Sequence, residues 1–196
     1  MNRRVANILS IFGHPLLTAP AFAIFMFFKL EDVELAFKHS IIIILGIFLP
    51  LSIRMYVNTK KGVYTNFDVS DQGQRQSWYI FATILLSVFT LYLFITGQPQ
   101  NLCYSVAASL ILLVISQCIN FYIKSSLHVS VNVFLAFLMM SVSVAAGIMF
   151  LLFAGFVAQS RLVLGRHTIR EIIVGALVGL IVGFIILVIM IVRLPT

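Results

Sequence analysis

The sequence predicts an all-α protein, a polytopic membrane helical bundle of about seven transmembrane helices, six if the first is interfacial. Three observations carry this. Of 196 residues, 61% are hydrophobic and 10% charged, where a soluble domain carries roughly 25% charged. The apolar runs reach the ~20 residues that a ~30 Å hydrocarbon core requires at 1.5 Å per residue. They are also continuous rather than alternating, which argues against a barrel. An ordinary cytosolic enzyme, a disordered chain and a disulfide-stapled module are excluded. Residues 1–196 read as one membrane-embedded domain.

The runs fall at 10–29, 40–57, 78–96, 102–123, 128–142, 145–160 and 171–193. Between the first two, Glu31, Asp32, Glu34 and Lys38 bring too much charge for hydrocarbon. The longest polar stretch, Asn58 to Ser77, holds Lys60, Lys61, Asp68, Asp71 and Arg75. Gly97-Gln98-Pro99-Gln100-Asn101 is a turn by its glycine and proline. His128–Ser160 is ambiguous, since a single helix of that length would reach about 48 Å. Cys103 and Cys118 lie in one run, about four helical turns apart, and cannot bridge each other.

The net charge of +7 does not point to nucleic acid, because the basic residues occupy short loops rather than one stripe. Two basic groups stand out. Gln76 to Ser160 is an 85-residue stretch whose one formal charge is Lys124, four residues before its one histidine, His128. An ionisable group among apolar spans is expensive, and is functional, paired or snorkelling. The second group, Ser160 to Glu171, joins the last two runs and holds Arg161, Arg166, His167 and Arg170. His167 and Glu171 are four apart and share a helical face. A carboxylate there can fix the imidazole tautomer, leaving the other ring nitrogen as nucleophile or base. Arg161 can fork onto phosphate oxygens. The bland alternative is a positive interfacial loop.

Together these residues resemble the type 2 phosphatidic acid phosphatase superfamily, which spans membrane lipid phosphatases and soluble vanadium haloperoxidases. Its pattern is K-x6-R-P, then P-S-G-H, then S-R-x5-H-x3-D. Here the third motif reads Ser160, Arg161, His167 and Glu171, with Glu for Asp. The second survives as Ser126-Leu127-His128, preceded by Ser125 in place of proline. The first keeps Arg75, with Asp68 where lysine is usual and Gln76 for proline. Lys124, Ser126 and His128 also look like a bacterial membrane branch in which a lysine beside the middle motif replaces the missing one. The resemblance covers about residues 68–183. It implies that His167 attacks phosphorus and forms a phosphohistidine, oriented by Glu171. His128 would protonate the leaving oxygen, and Arg75, Lys124, Ser126 and Arg161 would hold the phosphoryl oxygens. No metal and no cofactor are expected. The implied substrates are lipid phosphates or isoprenoid (polyprenyl) diphosphates, and the implied location is a bacterial inner membrane. Leu127 for glycine alters the backbone approach to phosphate, and Asp68 brings a like charge to an anionic substrate unless it turns away.

A parity condition follows. Arg75, Lys124/His128 and Arg161/His167 meet only if even numbers of spans separate them, so 128–160 is expected to split in two with the turn near Ser141–Gly147. Gly175, Gly179 and Gly183 form a ladder read as close helix packing, drifting ~40° per step. His14 is expected to line the site or to sit at the interface, the interface being favoured; His39 is expected on the opposite face, and Arg54 snorkelling or paired.

Two rivals remain open. Asp68-Val69-Ser70-Asp71 is a D-x2-D that could hold Mg²⁺ in a phospho- or prenyltransferase, though a second acidic cluster is missing. The other rival is a non-catalytic, transporter-like member. With the proposed ligands set aside, the site face holds Arg3, Arg4, Lys60, Lys61, Arg166 and Arg170. Lys29, Lys38 and Arg193 lie opposite. That balance favours a cytoplasmic site, whereas bacterial relatives commonly face outward.

Overall fold

The computed structural model describes residues 1–69 and 71–193. Ser70, residues 194–196 and the Arg193 side chain, counted above with the opposite-face charges, lie outside the described residues. All regular structure among the described residues is helical: α1 (Arg3–Phe12), α2 (Pro15–Leu30), α3 (Val33–Ile43), a π-helical turn (Ile44–Phe48), α4 (Leu49–Lys60), α5 (Gln72–Ile95), α6 (Gln100–Ile119), α7 (Leu127–Met140), α8 (Val144–Val163) and α9 (Ile169–Arg193).

Five helices are long and apolar enough to cross a membrane: Val33–Lys60 through the π turn, Gln72–Ile95, Gln100–Ile119, Val144–Val163 and Ile169–Val192. The pair α1 and α2, bent by 47°, makes a sixth if taken as one span. The count of five to six compares with the seven expected, or six with an interfacial first helix. The remaining apolar run, α7, has 14 residues and reaches ~21 Å, short of a ~30 Å core. The split of 128–160 is observed, with the turn at Ser141–Ser143.

Local chemistry sets the boundaries. Asn2, Asp32, Asp71 and Ser143 accept backbone N–H bonds as N-caps of α1, α3, α5 and α8. His14 caps α2 through its ring, and Pro15 follows at the first helical position, where its missing N–H costs nothing. Pro50 offers no N–H to the preceding turn, and the helix widens there into the π turn Ile44–Phe48.

The short α7 is the hub. Val129, Ser130, Asn132, Phe134, Leu135 and Ala136 are buried on it, and α8, α9 and α2 pack around it. The glycine ladder seats α9: a Cβ at Gly175 would meet the Ser126 backbone, one at Gly179 the Ser130 carbonyl, and one at Gly183 the Phe137 ring. All three face α7, although the stripe drifts around α9, so the shorter helix crosses along the drift. Asn132 Nδ2 donates to the Gly13 carbonyl (2.8 Å) and to the His128 carbonyl (2.7 Å), tying α7 to the α1–α2 break. Beside α7, an apolar cavity of about 770 Å³ is lined by Leu16, Phe22, Trp78, Leu86, Leu112 and Phe134, among others.

Gly179→Leu is expected to drive a side chain into the Ser130 carbonyl and cost about 1–3 kcal/mol. Gly155→Leu, where a Cβ meets nothing within 4 Å, should leave stability unchanged. Thermal unfolding of both variants in detergent checks this.

Candidate active site

Three loops and two helix ends meet at one end of the bundle. The α5 start and the α6 end are tied reciprocally: Gln72 Nε2 donates to the Asn120 carbonyl (2.6 Å) and Asn120 Nδ2 to the Gln72 carbonyl (3.1 Å). That tie brings buried Arg75 to the segment after α6. Its Nη1 donates to the Ser125 carbonyl (2.8 Å) and its Nε to the Val69 carbonyl (3.2 Å). The Ser126 N–H donates to the Glu171 carbonyl (3.1 Å), joining the α7 start to α9. Arg75, Lys124, Ser126, His128, Arg161, His167 and Glu171 thus lie at one end of the bundle, with α7 and α8 running out and back between His128 and Arg161.

The start of α9 builds a histidine–carboxylate pair. The Thr168 N–H donates to Glu171 (3.2 Å), and the Glu171 N–H to the Thr168 hydroxyl (3.3 Å), the reciprocal arrangement of a capping box. The same Glu171 oxygen lies 2.8 Å from His167 Nδ1. With Nδ1–H donating to the carboxylate, Nε2 of the neutral ring carries the lone pair. The surroundings hold the ring neutral. Burial, then the charges of Arg75, Arg161 and Lys124, push the His167 pKa from an ordinary 6.5 down to about 2, against a raising hydrogen bond with the Lys124 backbone. Lys124 is half-buried, and burial lowers its pKa while Glu171 acts in the opposite sense. No carboxylate among the described residues lies within ion-pair distance of it.

Arg161 is 1% exposed, and its partner is the residue that sequence reasoning hoped would turn away. Nη1 donates to Asp68 Oδ2 (2.8 Å) and to the Ser10 hydroxyl (2.6 Å). Asp68 Oδ1 faces two imidazoles, His128 Nε2 at 3.6 Å and His14 Nε2 at 3.7 Å. The two rings sit edge to face, 4.8 Å apart. His14 therefore joins this cluster, the less favoured of the two readings open for it. Its signal was the residue pair His14-Pro15, a helix start set at a break inside an apolar run. Ser10 left no comparable signal. His39 is buried elsewhere, against Glu31 at the α2–α3 turn (2.9 Å). Arg54 donates to Ser77 (3.2 Å) and lies over the Phe81 ring.

Two further features bear on chemistry. The Ser125 and Ser126 hydroxyls, His128 Nε2 and Arg161 Nε are buried with no hydrogen-bond partner. These atoms leave hydrogen-bonding capacity uncommitted at this end of the bundle. The nearest ligand atoms of His14, Asp68 and His128 lie within 4.8 Å of one another, a spacing that a cation could use. The tautomer opposes that use. The Leu16 N–H donates to His14 Nδ1 (3.1 Å), so the neutral ring carries its proton on Nε2, the atom that a metal would need bare. The two aspartates of the D-x2-D are also divided, Asp68 on Arg161 and Asp71 on the Gln74 N–H (2.9 Å).

No protein-family profile, no curated protein and no solved structure matches the chain.

The His167 shift has a consequence for stability. In the unfolded chain this histidine protonates below its ordinary 6.5; in the folded protein it stays neutral until about 2. Its contribution is therefore fully present above pH 6.5 and is lost as pH falls through the window below. The slope approaches about 1.4 kcal/mol per pH unit. His167→Asn should flatten the fall in Tm between pH 7 and pH 5; an unchanged slope would contradict the buried neutral ring.

Proposed function

We propose that the protein is a membrane-embedded, metal-independent phosphatase that hydrolyses a lipid phosphate or isoprenoid diphosphate through a phosphohistidine. The observation that carries this reading is His167. A tautomer-fixed, neutral imidazole lies beside a carboxylate and under the field of three cations, Arg75, Arg161 and Lys124. Phosphoryl transfer asks a protein for little beyond positioning and positive charge around the equatorial oxygens. His167 Nε2 attacks phosphorus while Nδ1–H holds onto Glu171. The P–O bond to the lipid breaks as His128 gives its proton to the leaving oxygen, and His128 then takes a proton from the water that opens the phosphohistidine. Ser126 and the unspent donors of Arg75 and Arg161 bind the phosphoryl oxygens. Arg75 has two of its five N–H donors committed to backbone carbonyls, so it holds the loops as well as facing the ligand. The apolar cavity beside α7 suits the lipid tail. The family resemblance and a bacterial inner-membrane location belong to the same proposal. The division of Asp68 from Asp71 favours it over a Mg²⁺-dependent transferase.

Phosphate release by the purified protein across a panel of lipid phosphates tests the reading. Turnover in EDTA is expected; activity that EDTA abolishes and Mg²⁺ restores would select the transferase.

Lys124 is the sharper test within the site. An unpaired ammonium among apolar spans must reach water or meet an anion. Lys124→Met should cost on the order of 10²–10³ in kcat/KM while the bundle stays folded. Lys124→Arg should retain part of the activity, because its planar fork substitutes imperfectly for a point charge. Near-normal kcat/KM in Lys124→Met would reduce the residue to a snorkelling lysine.

A further inference from the structure

We infer that Ser10, His14, His128 and Arg161 form an anion-binding site, and that the carboxylate of Asp68 occupies it as the chain's own stand-in for the phosphoryl oxygens of a substrate. The inference rests on the phosphatase reading for the identity of the anion, and on geometry for everything else.

The four side chains come from separate parts of the fold: α1, the α1–α2 break, α7 and α8. His14, His128 and Arg161 converge around one carboxylate, and Ser10 meets the same Arg161 nitrogen. What they present is donor capacity. Arg161 is always charged. His14 carries its proton on Nε2 because Nδ1 accepts the Leu16 N–H. Ser10 accepts from Arg161, so its own O–H is left to donate. His128, 5% exposed, turns an unpartnered Nε2 toward the same point. A cavity of about 430 Å³ opens beside Ser10, His14 and Asp68.

A carboxylate fills this site badly. Asp68 makes one good contact, to Arg161, while both imidazoles stand at 3.6 and 3.7 Å, beyond the ~2.7–3.2 Å of a hydrogen bond. Arg161 Nε has no partner at all. A tetrahedral phosphoryl group brings more acceptor oxygens, spread in three dimensions, and can satisfy donors that a planar carboxylate leaves unmet. The backbone supports the same conclusion. Val69, immediately after Asp68, has φ of +47°, a region that a β-branched residue enters only under constraint. Arg75 holds its carbonyl there. The loop is bent against its preference to deliver Asp68 to Arg161, so a substrate must displace an internal anion before it binds.

The test reads anion binding rather than turnover. Full-length protein in detergent is titrated calorimetrically with inorganic phosphate at pH 7, as wild type, Asp68→Asn and Asp68→Ser, with folding checked by gel filtration. Asn keeps the shape of Asp68 and removes its charge; Ser guards against one misfolded variant. At least tenfold tighter phosphate binding in a folded variant is expected, and adding His14→Asn should reverse the gain by severalfold. Equal or weaker binding in the Asp68 variants, or no detectable binding in any protein, overturns the inference. Lipid-phosphate turnover is measured separately. Tighter binding without turnover upholds the anion site and removes the phosphatase reading. Turnover with unchanged binding does the opposite.

Discussion

A guanidinium buried to 1% exposure at the end of a membrane helix is the constraint around which this end of the molecule is arranged. Desolvating Arg161 costs several kcal/mol unless an anion and hydrogen-bond acceptors meet it. Asp68 supplies the charge from the long polar loop and Ser10 a neutral acceptor from the amino-terminal helix. One side chain thereby joins segments 151 and 93 residues distant in the chain. Beside this tie, the end of α1 is held by the Asn132 bond to the Gly13 carbonyl and by apolar packing of Gly13 against Val157 on α8.

The second constraint is length. At 14 residues α7 is shorter than the helices packed on it, and Ser125, Ser126 and His128 are buried at its amino-terminal end. The glycines of α9 are what allow this end of α7 to be backed so closely. A side chain at Gly175 would displace the Ser126 backbone, whose N–H holds the Glu171 carbonyl. Packing residue, backbone bond and His167–Glu171 pair form one continuous piece of structure.

Much of this was legible from residue order. Long apolar runs dictate helices, and charge between them dictates where helices end. The capping box at Thr168 and the four-residue spacing to Glu171 place His167 and the carboxylate together with no tertiary information. The need to return Arg161 to the end that holds Lys124 divides 128–160 into two helices, as α7 and α8 are. The rest depended on contacts with no local signature. Nothing in the neighbourhood of Asp68 distinguishes a residue that turns to solvent from one drawn onto Arg161, 93 positions away. His14 was open between the two readings because a histidine before a proline near the start of an apolar run fits an interface and a site equally well. Hydropathy alone does not distinguish a 14-residue buried helix such as α7 from one long enough to cross.

The positive φ at Val69 also sets how firmly the internal carboxylate is held. Backbone in that region costs about 1–3 kcal/mol, subtracted directly from the free energy of the Arg161–Asp68 pair. Valine rather than glycine at this position therefore leaves the carboxylate held on Arg161 less firmly than a relaxed loop would hold it.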